Sequence, residues 1–427
     1  MTDTAYFKHG GVDLALPLVP ATQGNNGYDI SKLLASTGEV TLDQGFVNTA
    51  SCRSSITFID GDAGVLQYRG YPIEQLAEKS TFLETAYLVL YGELPSPDEL
   101  EAFQARIQRH TLLDERMRDL FRTFPRRSHP MPVLSAGITA LSTFSTDSLG
   151  FTPYEIELAT FRLLGKVPTL AAYSYKNSMG HPTLFPDDSL SYIENFLRMS
   201  FGTPTHPYAF DDRITRALDV LLILHADHEQ NCSTSTARLV GSSGANMFVS
   251  VASAVNALSG PLHGGANQAV LEMLGQIKES GMDVKTFVQQ VKDKKSGIKL
   301  MGFGHRIYKN YDPRAAIIKK HADEILKLEG GRSDLLDIAL SLEEAALSDP
   351  YFQERKLYPN VDFYTGLIYE AMGFPVNMFT VLFALGRLPG WIAQWREQQA
   401  DPAGKIGRPR QVYVGETKRD YVPLDQR

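Results

Sequence analysis

The chain has 427 residues, of which 43% are hydrophobic and 21% charged, and its formal net charge is −7. A chain of this length is expected to form more than one lobe and to bury enough surface to need neither disulfides nor structural metals. The acidic balance excludes a general nucleic-acid-binding surface, so an anionic ligand would need a local cluster of arginine and histidine.

Cysteine usage and the apolar segments bear on the compartment. Cys52 and Cys232 form no Cys-x-x-Cys motif, which is typical of a reducing compartment and argues against a thiolate zinc site. The N-terminal residues lack the apolar core of a signal peptide. The apolar stretch 373–395 contains Arg387 and Pro389, which favours a core helix over a membrane span. We therefore expect a cytoplasmic protein that binds no membrane.

The pattern of the first 70 residues differs from that of the rest. Two short β-prone runs flank a Gly/Asp turn within 57–70, which predicts a hairpin. From residue 71 the pattern becomes helical. Apolar residues recur at three- and four-residue spacing over 82–91, and Ser96, followed by proline and acidic residues, predicts the start of the next helix.

Proline and glycine then divide a series of helical segments, for example at Phe124-Pro125, Val167-Pro168 and Thr203-Pro204. No convincing strand pattern returns before the C-terminal residues. The predicted fold class is mostly α, with a small β-rich N-terminal segment.

The first candidate site is Leu224-His225-Ala-Asp-His228. Two histidines three residues apart share a face if the segment is helical. As a metal site the pair would need a third ligand, and no known metal spacing is present nearby. As an anion site, the imidazoles could bind a carboxylate or carbonyl oxygen. A buried polar cluster that satisfies itself is the third interpretation.

A third histidine, His263, lies between Pro-Leu and Gly-Gly, just before a helix expected to begin near Ala266. Glycines at this position allow a ligand to approach the backbone closely. A lone histidine is more often structural, but a histidine among loop-forming residues is a stronger functional candidate.

A fourth histidine, His305, follows Gly302-Phe-Gly and precedes Arg306, Lys309 and Arg314. This set of cations suits phosphate or carboxylate groups, and the alternative is a solvated basic loop. No strand precedes the Gly-x-Gly and a third glycine is missing, which excludes a dinucleotide-binding motif.

Two charged residues stand in apolar surroundings near the C-terminal part of the chain. Burial of Asp362 among Val361, Phe363 and Tyr364 would raise its pKa towards that of a general base, although an aspartate after Pro-Asn could equally cap a helix. Arg387 needs an anionic partner, because an unpaired buried charge costs several kcal/mol. Cys232 near His228 is interpreted as a buried, inert thiol rather than as a nucleophile.

Three of these motifs, in this order and at these separations, resemble those of the citrate synthase family over nearly the whole chain. The N-terminal extension and the ending Ile406-Gly-Arg-Pro-Arg resemble its bacterial long-chain form. The resemblance implies an acyltransferase of the tricarboxylic acid cycle that condenses acetyl-CoA with oxaloacetate and water, giving citrate and CoA without a metal or cofactor. The motifs are Leu262-His-Gly-Gly-Ala-Asn-Gln, Gly302-Phe-Gly-His and Pro359-Asn-Val-Asp.

The resemblance also implies roles for individual residues. His263 would hold the thioester oxygen of acetyl-CoA, Asp362 would take a proton from its methyl group, and His305 would protonate the oxaloacetate carbonyl. The residues implied to bind oxaloacetate are His228, Arg314, Arg387 and, reaching in from a partner subunit, Arg408. Those implied to bind CoA are Lys299, Leu300, Met301, Gly302, Phe303, Gly304 and Asn360.

The domain organisation and assembly follow from the same resemblance. It implies a β-rich segment over residues 1–70, a large helical domain over 71–265 and 375–427, and a small helical domain over 266–374. The active site is expected in the cleft between the helical domains. Because Arg408 would come from the partner, a homodimer is the minimum unit.

Some bacterial members of the family bind NADH as an inhibitor, and the resemblance extends to that site. Ser145 stands where an aromatic residue would be expected, which counts against NADH binding. NADH inhibition, and the hexamer that goes with it, are therefore hypotheses. The matching residues are Arg109, His110, Thr111, Arg162 and Lys166.

Three other functions compete with this one. A 2-methylcitrate synthase, which uses propionyl-CoA, shares the catalytic trio and differs by one methylene in the acyl pocket, worth about 1–3 kcal/mol; the long N-terminal extension favours citrate synthase. A non-catalytic ligand-binding protein on the same fold would be expected to lose one of the trio. A metal-dependent hydrolase centred on His225 and His228 is the remaining alternative.

Overall fold

The computed structural model describes residues 4–293, 295–304, 307, 308, 312–325 and 334–427. These residues divide into two compact units, one made of residues up to 53 with 406–427, the other of residues between 54 and 405. The fold class is mostly α, as predicted. Within the described ranges, every strand lies in the first 72 residues.

The first unit is built on an antiparallel sheet. Strand β1 (Thr4–His9) pairs with β2 (Val12–Val19), which pairs with β3 (Gly27–Tyr28). Gly10 and Gly11 join β1 to β2, and both have positive φ, as a tight two-residue hairpin requires. The short helix α1 (Leu33–Thr37) follows, while residues 406–427 are exposed along their whole length and contain one 3-10 turn, Leu424–Gln426.

The second unit begins with a second antiparallel sheet, formed by β4 (Thr57–Asp60), β5 (Val65–Tyr68) and β6 (Tyr71–Pro72). The hairpin predicted within 57–70 is therefore confirmed. Tyr68 is fully buried, and its hydroxyl lies 3.2 Å from the Ile223 carbonyl oxygen and 3.3 Å from that of Leu224. These bonds anchor the hairpin to the helix that ends at the His225 motif.

A first series of helices follows the hairpin. The helix predicted at Ser96 begins there, with a capping box formed with Glu99. The helices are α2 (Ile73–Lys79), α3 (Phe82–Tyr91), α4 (Pro97–Gln108), α5 (Glu115–Thr123), α6 (Pro130–Phe144), α7 (Pro153–Met179), α8 (Tyr192–Phe201), α9 (Asp212–His225), α10 (Cys232–Gly241) and α11 (Met247–Leu258), with a 3-10 turn at Thr146–Ser148.

Helix α7 continues through Pro168, so the break predicted at Val167-Pro168 is wrong. A proline inside a helix leaves the carbonyl four residues earlier without its usual backbone donor. That carbonyl belongs to Leu164, and the Tyr192 hydroxyl donates to it at 3.2 Å. A side chain from α8 thus replaces the missing bond and lets the helix continue.

A second series of helices packs largely on itself. The bounds are α12 (Ala266–Ser280), α13 (Val284–Lys292), α14 (Pro313–Ile325), α15 (Asp334–Ser348), α16 (Pro350–Glu354) and α17 (Val361–Ala371). Helices α12 and α14 pack on α17, and α13 and α16 pack on α15. The start of α12 at Ala266 is confirmed. The domain boundaries proposed above, including 266–374, stay a prediction.

Helix α18 (Phe379–Ala400), preceded by the 3-10 turn Val376–Met378, forms the centre of this unit. It packs on α3, α7, α9, α10 and α11. Within the described residues, Val376–Ala400 is the one segment long and apolar enough to cross a membrane, and 89% of its apolar window is buried inside the protein. This supports the core helix predicted here, with Arg387 and Pro389 inside it.

Candidate active site

The His225 motif lies at the end of α9. His225 is the last residue of the helix and His228 lies in the turn after it, so the shared helical face expected from their spacing is not formed. Both side chains are buried. His225 Nδ1 donates to the Leu221 carbonyl at 2.6 Å, and burial lowers the pKa of His225 to about 3. His225 is therefore neutral at physiological pH.

Arg387 lies in the middle of α18 and is 1% exposed. Its Nε donates to the His225 carbonyl at 2.6 Å, and its guanidinium carbon is 5.0 Å from the centre of the Phe383 ring. Burial lowers the pKa of Arg387 to about 10, which leaves it charged at neutral pH. Its Nη1 has no hydrogen-bond partner among the described residues, so this donor is available to an anion.

Arg314, in the first turn of α14, is also buried and forms a two-point ion pair with Asp312. The bonds are Nε to Oδ1 at 3.0 Å and Nη2 to Oδ2 at 2.9 Å. Burial alone would lower the pKa of Arg314, but the Asp312 carboxylate and then Tyr308 outweigh that effect and raise it. The Val361 amide also donates to Asp312, at 3.1 Å, which fixes the pair against the start of α17.

Asp362 lies in the first turn of α17 and is partly accessible to solvent. The Asn360 side chain accepts from the Asp362 amide at 2.9 Å, so the alternative in which Asp362 caps the helix is wrong, because Asn360 holds that position. Burial raises the pKa of Asp362 to about 6, although Arg314 and Arg387 oppose the shift. A carboxylate that titrates near 6 is well placed to act as a general base.

The glycine loop predicted to bind CoA is fastened to the segment that precedes Asp362. The Asn360 amide donates to the Gly302 carbonyl at 2.9 Å, and the Gly304 amide donates to the Tyr358 carbonyl at 2.8 Å. Asn360 Nδ2 adds a bond to the Gly304 carbonyl at 2.8 Å. Gly302 and Gly304 have φ of 78° and 74°, and a Cβ on Gly302 would lie 2.6 Å from Val270 Cγ2. Only glycine fits this path.

His263 lies in the turn between α11 and α12. The Ser233 amide donates to His263 Nε2 at 3.2 Å, so Nε2 is the unprotonated nitrogen and Nδ1 carries the proton of the neutral ring. Ser233 Oγ lies 2.8 Å from Nε2 and 2.7 Å from Asn231 Oδ1, and it accepts from Trp391 Nε1 at 3.1 Å. These contacts fix the orientation of the His263 ring and make Nδ1 the candidate donor.

These contacts gather most of the predicted residues around one buried site. Arg314 and Arg387 interact electrostatically with each other and with Asp362. The rings of His228 and Tyr308 are 5.7 Å apart, and Arg314 lies over the same tyrosine at 5.7 Å. Such a site can hold a small dianion beside a base and a neutral hydrogen-bond donor. We call His225, His228, Arg314 and Arg387 the inner basic cluster.

Some predicted residues are not part of this grouping. His305 lies outside the described residues, as do Arg306 and Lys309. Arg408 belongs to the other compact unit and is exposed. In the CoA segment Lys299 is exposed, Leu300 and Met301 are half-buried, and Phe303 is buried.

Two participants in this geometry were not singled out from the sequence. Asp312 pairs with Arg314, and its position directly before Pro313 at a helix start was a usable signal. Ser233 holds His263 across 30 positions of sequence, and no local pattern indicates that contact. In the described part of the chain, no three His, Cys, Asp or Glu side chains are grouped as a metal site would require.

The residues that resemble an NADH site lie elsewhere, in the segment directly after α4 and on α7. Arg162 bonds to Asp147 and, at 2.8 Å, to Ser148 Oγ, while Lys166 Nζ donates to the Leu112 carbonyl. Burial lowers the pKa of Lys166 to about 8. These two cations therefore already have partners within the chain.

The other three residues of the resembling set are Arg109, His110 and Thr111, in the segment directly after α4. Arg109 is exposed, and His110 is half-buried. Burial lowers the pKa of His110, and Lys166 and Arg162 lower it further. Thr111 Oγ1 donates to the Gln108 carbonyl at 2.9 Å. We call Arg109, His110, Arg162 and Lys166 the outer basic cluster.

Comparison with known proteins gives consistent matches. A family model described as "Citrate synthase, C-terminal domain" matches residues 45–410. The chain is 62% identical over 426 residues to Citrate synthase 1 of Mycobacterium tuberculosis, covering 100% of this chain and 99% of that protein. It is 57% identical over 425 residues to Citrate synthase of Corynebacterium glutamicum, covering 99% and 97%.

Solved structures agree with the sequence matches. The crystal structure of citrate synthase from Pyrobaculum aerophilum superposes with a TM-score of 0.82 at 39% identity, covering 90% of this chain and 95% of that one. A ternary complex of the Thermoplasma acidophilum citrate synthase with carboxymethyl coenzyme A and oxaloacetate superposes with a TM-score of 0.83 at 31% identity. It covers 91% of this chain and 100% of that one.

Proposed function

The chain belongs to the citrate synthase family, and from this premise we propose how its residues carry the reaction. The protein is an acyltransferase that condenses acetyl-CoA with oxaloacetate and water to citrate and CoA. The observation that carries the residue assignment is Asp362, a partly exposed carboxylate whose pKa is raised to about 6 beside two buried arginines.

The first proposed step is removal of a proton from the acetyl methyl group. A thioester methyl is a very weak carbon acid, so a base alone is too slow. His263 donates through Nδ1 to the thioester oxygen while Asp362 takes the proton. One donor at a developing oxyanion is typically worth roughly 3 kcal/mol, and a positioned base adds about 10²- to 10⁴-fold.

The second proposed step is attack of the enol carbon on oxaloacetate. Arg387 offers Nη1, which has no hydrogen-bond partner among the described residues, and Arg314 offers the Nη1 that its bonds to Asp312 do not use, so both arginines donate to the carboxylates of the dianion. His228 binds the same substrate. His305 donates a proton to the ketone oxygen as the carbon–carbon bond forms, and hydrolysis of the citryl thioester then releases CoA.

CoA is proposed to lie along the glycine loop, where Lys299 is exposed and Leu300 and Met301 are half-buried. The loop is held by Asn360, which also caps the helix of the base. The proposed CoA-binding residues are Lys299, Leu300, Met301, Gly302, Phe303, Gly304 and Asn360. The chemistry assigned to His263, Asp362 and His305 requires no metal ion or cofactor.

The activity assignment is tested by CoA release, followed with a thiol reagent. Oxaloacetate is supplied with acetyl-CoA and, separately, with propionyl-CoA. We expect a kcat/KM for acetyl-CoA at least about tenfold higher, as one methylene in a pocket allows. Equal or better use of propionyl-CoA would instead indicate 2-methylcitrate synthase, which the relatives do not favour.

The proposed assembly is a homodimer in which Arg408 completes the partner's oxaloacetate site. Asp362→Ala and Arg408→Leu chains, each expected to be inactive alone, are co-expressed and purified together without separating the mixed dimers from the two parent dimers. If Arg408 acts across the interface, one site in each mixed dimer is intact, and about a quarter of the activity returns in a random mixture. No recovery would contradict the assignment. A hexamer and NADH inhibition are proposed on the family resemblance alone, and a cytoplasmic location is proposed on the cysteine usage and the apolar patterns of the sequence.

A further inference from the structure

The turn between the two histidines of the inner basic cluster contains a carboxylate that the reaction does not use. Asp227 is 0% exposed. Its Oδ2 accepts from Thr57 Oγ1 at 2.6 Å, from the Glu229 amide at 3.2 Å and from Gln394 Nε2 at 3.3 Å. These donors belong to β4, to the turn itself and to α18, so one oxygen joins three elements.

A second carboxylate of the same turn is held by the same strand. Glu229 has a φ of 50°, an unusual conformation for a residue with a side chain, and its Oε1 accepts from the Ile59 amide at 3.1 Å. Thr57 and Ile59 are two residues apart on β4. Strand β4 therefore forms hydrogen bonds with the residues on both sides of His228, Asp227 and Glu229.

Helix α18 holds the turn from the other direction. Residues 387, 390 and 394 share one face of the helix, since they are three and four positions apart. Arg387 donates to the His225 carbonyl, and Gln394 donates to Asp227. Between them, a Cβ on Gly390 would lie 2.2 Å from the Ala226 carbonyl oxygen and 2.5 Å from Asp227 Oδ1. Helix α18 and the turn therefore pack so closely at Gly390 that no side chain fits between their backbones.

Charge links the same residues. Burial raises the pKa of Asp227, and Arg387 opposes that shift more than any other group; Asp227 in turn is the group that most strongly opposes the effect of burial on the pKa of Arg387. The two side chains form no direct ion pair within 4 Å in the described structure, and Arg387 keeps Nη1 without a partner there. Asp227 therefore balances the arginine without occupying the donor that an anion would use.

We propose that Asp227 is a positioning residue for oxaloacetate recognition, which fixes the turn that carries His228 and supplies the buried counter-charge of Arg387. Neither Asp227 nor its partner Thr57 contacts the substrate. This inference rests on the proposed roles of His228 and Arg387. A positioning role differs from a purely structural one in its effect on binding. Loss of a carboxylate that only stabilises the fold would not weaken oxaloacetate binding while leaving acetyl-CoA binding unchanged.

The chain offers a matched structural control in Asp219. It lies on the same helix as His225, is similarly buried, and also accepts from a backbone amide and a side chain, those of Phe82 at 2.9 Å and Arg216 at 2.8 Å. It contacts neither the turn nor Arg387 by hydrogen bond. Asp219→Asn therefore reports the cost of neutralising a buried carboxylate away from the site.

The test compares Asp227→Asn with Asp219→Asn in the full-length enzyme. Oxaloacetate binding is measured by calorimetry, and KM is measured for both substrates. For Asp227→Asn we expect the oxaloacetate Kd to rise about tenfold or more, with the acetyl-CoA KM within about twofold, since a hydrogen bond to a charged group is worth roughly 10- to 100-fold. For Asp219→Asn we expect an unchanged Kd. An unchanged Kd in folded Asp227→Asn would overturn the proposal.

A milder pair keeps the proposal testable if Asp227→Asn does not fold. Thr57→Val removes the hydroxyl that bonds Asp227 but keeps the shape, and Thr57→Ser keeps the hydroxyl. We expect Thr57→Val to weaken oxaloacetate binding about threefold to tenfold and Thr57→Ser to match the wild type. Equal values for the two would contradict the proposal. Failure of the wild-type protein to bind oxaloacetate would instead contradict the proposed function.

Discussion

The inner and outer basic clusters contain similar residue types but differ in how their charges are satisfied. In the inner cluster Arg387 is 1% exposed, and its Nη1 has no hydrogen-bond partner among the described residues. In the outer cluster Arg162 is bonded to Asp147 and Ser148, and Lys166 to a backbone carbonyl.

This difference in hydrogen bonding indicates which of the two clusters needs a ligand. A buried cation with an unused donor is costly unless an anion binds to it, which supports the proposal that oxaloacetate binds to Arg387. A cation that already has hydrogen-bond partners in its own chain, as Arg162 and Lys166 do, is stable without a ligand. The comparison therefore predicts strong effects for changes at the inner cluster and weak ones at the outer cluster.

The largest effect is expected for Asp362→Ala, which removes the base while leaving the oxaloacetate donors in place. We expect kcat to fall by roughly 10²- to 10⁴-fold. Calorimetry should show an oxaloacetate Kd close to that of the wild type, because Arg314 and Arg387 are unchanged. Near-normal turnover would show that Asp362 is not the base.

Arg387→Leu should weaken oxaloacetate binding next most strongly. Loss of a buried charged donor typically costs 2 to 5 kcal/mol, so we expect the oxaloacetate KM to rise about 30-fold or more. The change also leaves the Asp227 carboxylate without its counter-charge, so thermal unfolding should occur at lower temperature. A KM within threefold of wild type would mean that the free donor does not serve the substrate.

Gly61→Ala tests the surroundings of the inner cluster from the hairpin side. A Cβ on Gly61 would lie 2.1 Å from the carbonyl oxygen of Ile307, two positions after His305 in the chain, so the backbone there must shift. We expect kcat to fall by about 10- to 100-fold, as small misplacements near reacting groups do. Gly275→Ala, on α12 with open space around it, is the control and should leave kcat unchanged.

The pH profile tests the environment of Asp362. Because burial raises its pKa to about 6, the base loses its charge as pH falls through 6, and kcat/KM for acetyl-CoA should then drop about tenfold per pH unit. A carboxylate at its ordinary pKa of 3.8 would keep its activity to about pH 4. A flat profile between pH 5 and 7, with oxaloacetate saturating, would contradict the raised pKa.

The smallest effect is expected for Arg162→Leu in the outer cluster. An ion pair at the surface contributes about 1 kcal/mol or less, so kcat and both KM values should stay within about twofold of wild type. If the NADH hypothesis is right, the same variant should lose inhibition that the wild type shows. Full wild-type activity at saturating NADH would remove that hypothesis.

Local signals in the sequence were sufficient for much of the fold. The spacing of apolar residues over 82–91 and the cap at Ser96 predict α3 and α4, because both depend on neighbours within one or two turns. Pro168 was misleading, since the donor that keeps α7 intact is the hydroxyl of Tyr192, 28 positions from the carbonyl it bonds. Contacts across such separations leave no pattern in a single sequence.

The candidate site likewise contains residues that the sequence indicates and residues whose part in the site depends on distant contacts. His263 and Asp362 were candidates from their sequence surroundings, a glycine-bracketed histidine and a carboxylate among apolar residues, and the family resemblance supplied their proposed roles. Ser233, which sets the protonated nitrogen of His263, and Asp227, which balances Arg387, act through distant elements. The sequence shows that a serine and an aspartate occupy these positions, but it does not show that they interact with His263 and Arg387.

The bonding between the glycine loop and Asn360 has a consequence for the timing of catalysis. Separating the loop from the segment before Asp362 would break three hydrogen bonds, at a cost of about 3 kcal/mol in total. The loop proposed to bind the nucleotide part of CoA and the carboxylate proposed to take a proton from its acetyl group are therefore joined by backbone hydrogen bonds. If CoA binding displaces the loop, the displacement moves Asp362 as well. CoA binding and proton removal are therefore coupled through backbone hydrogen bonds and not through the substrate alone.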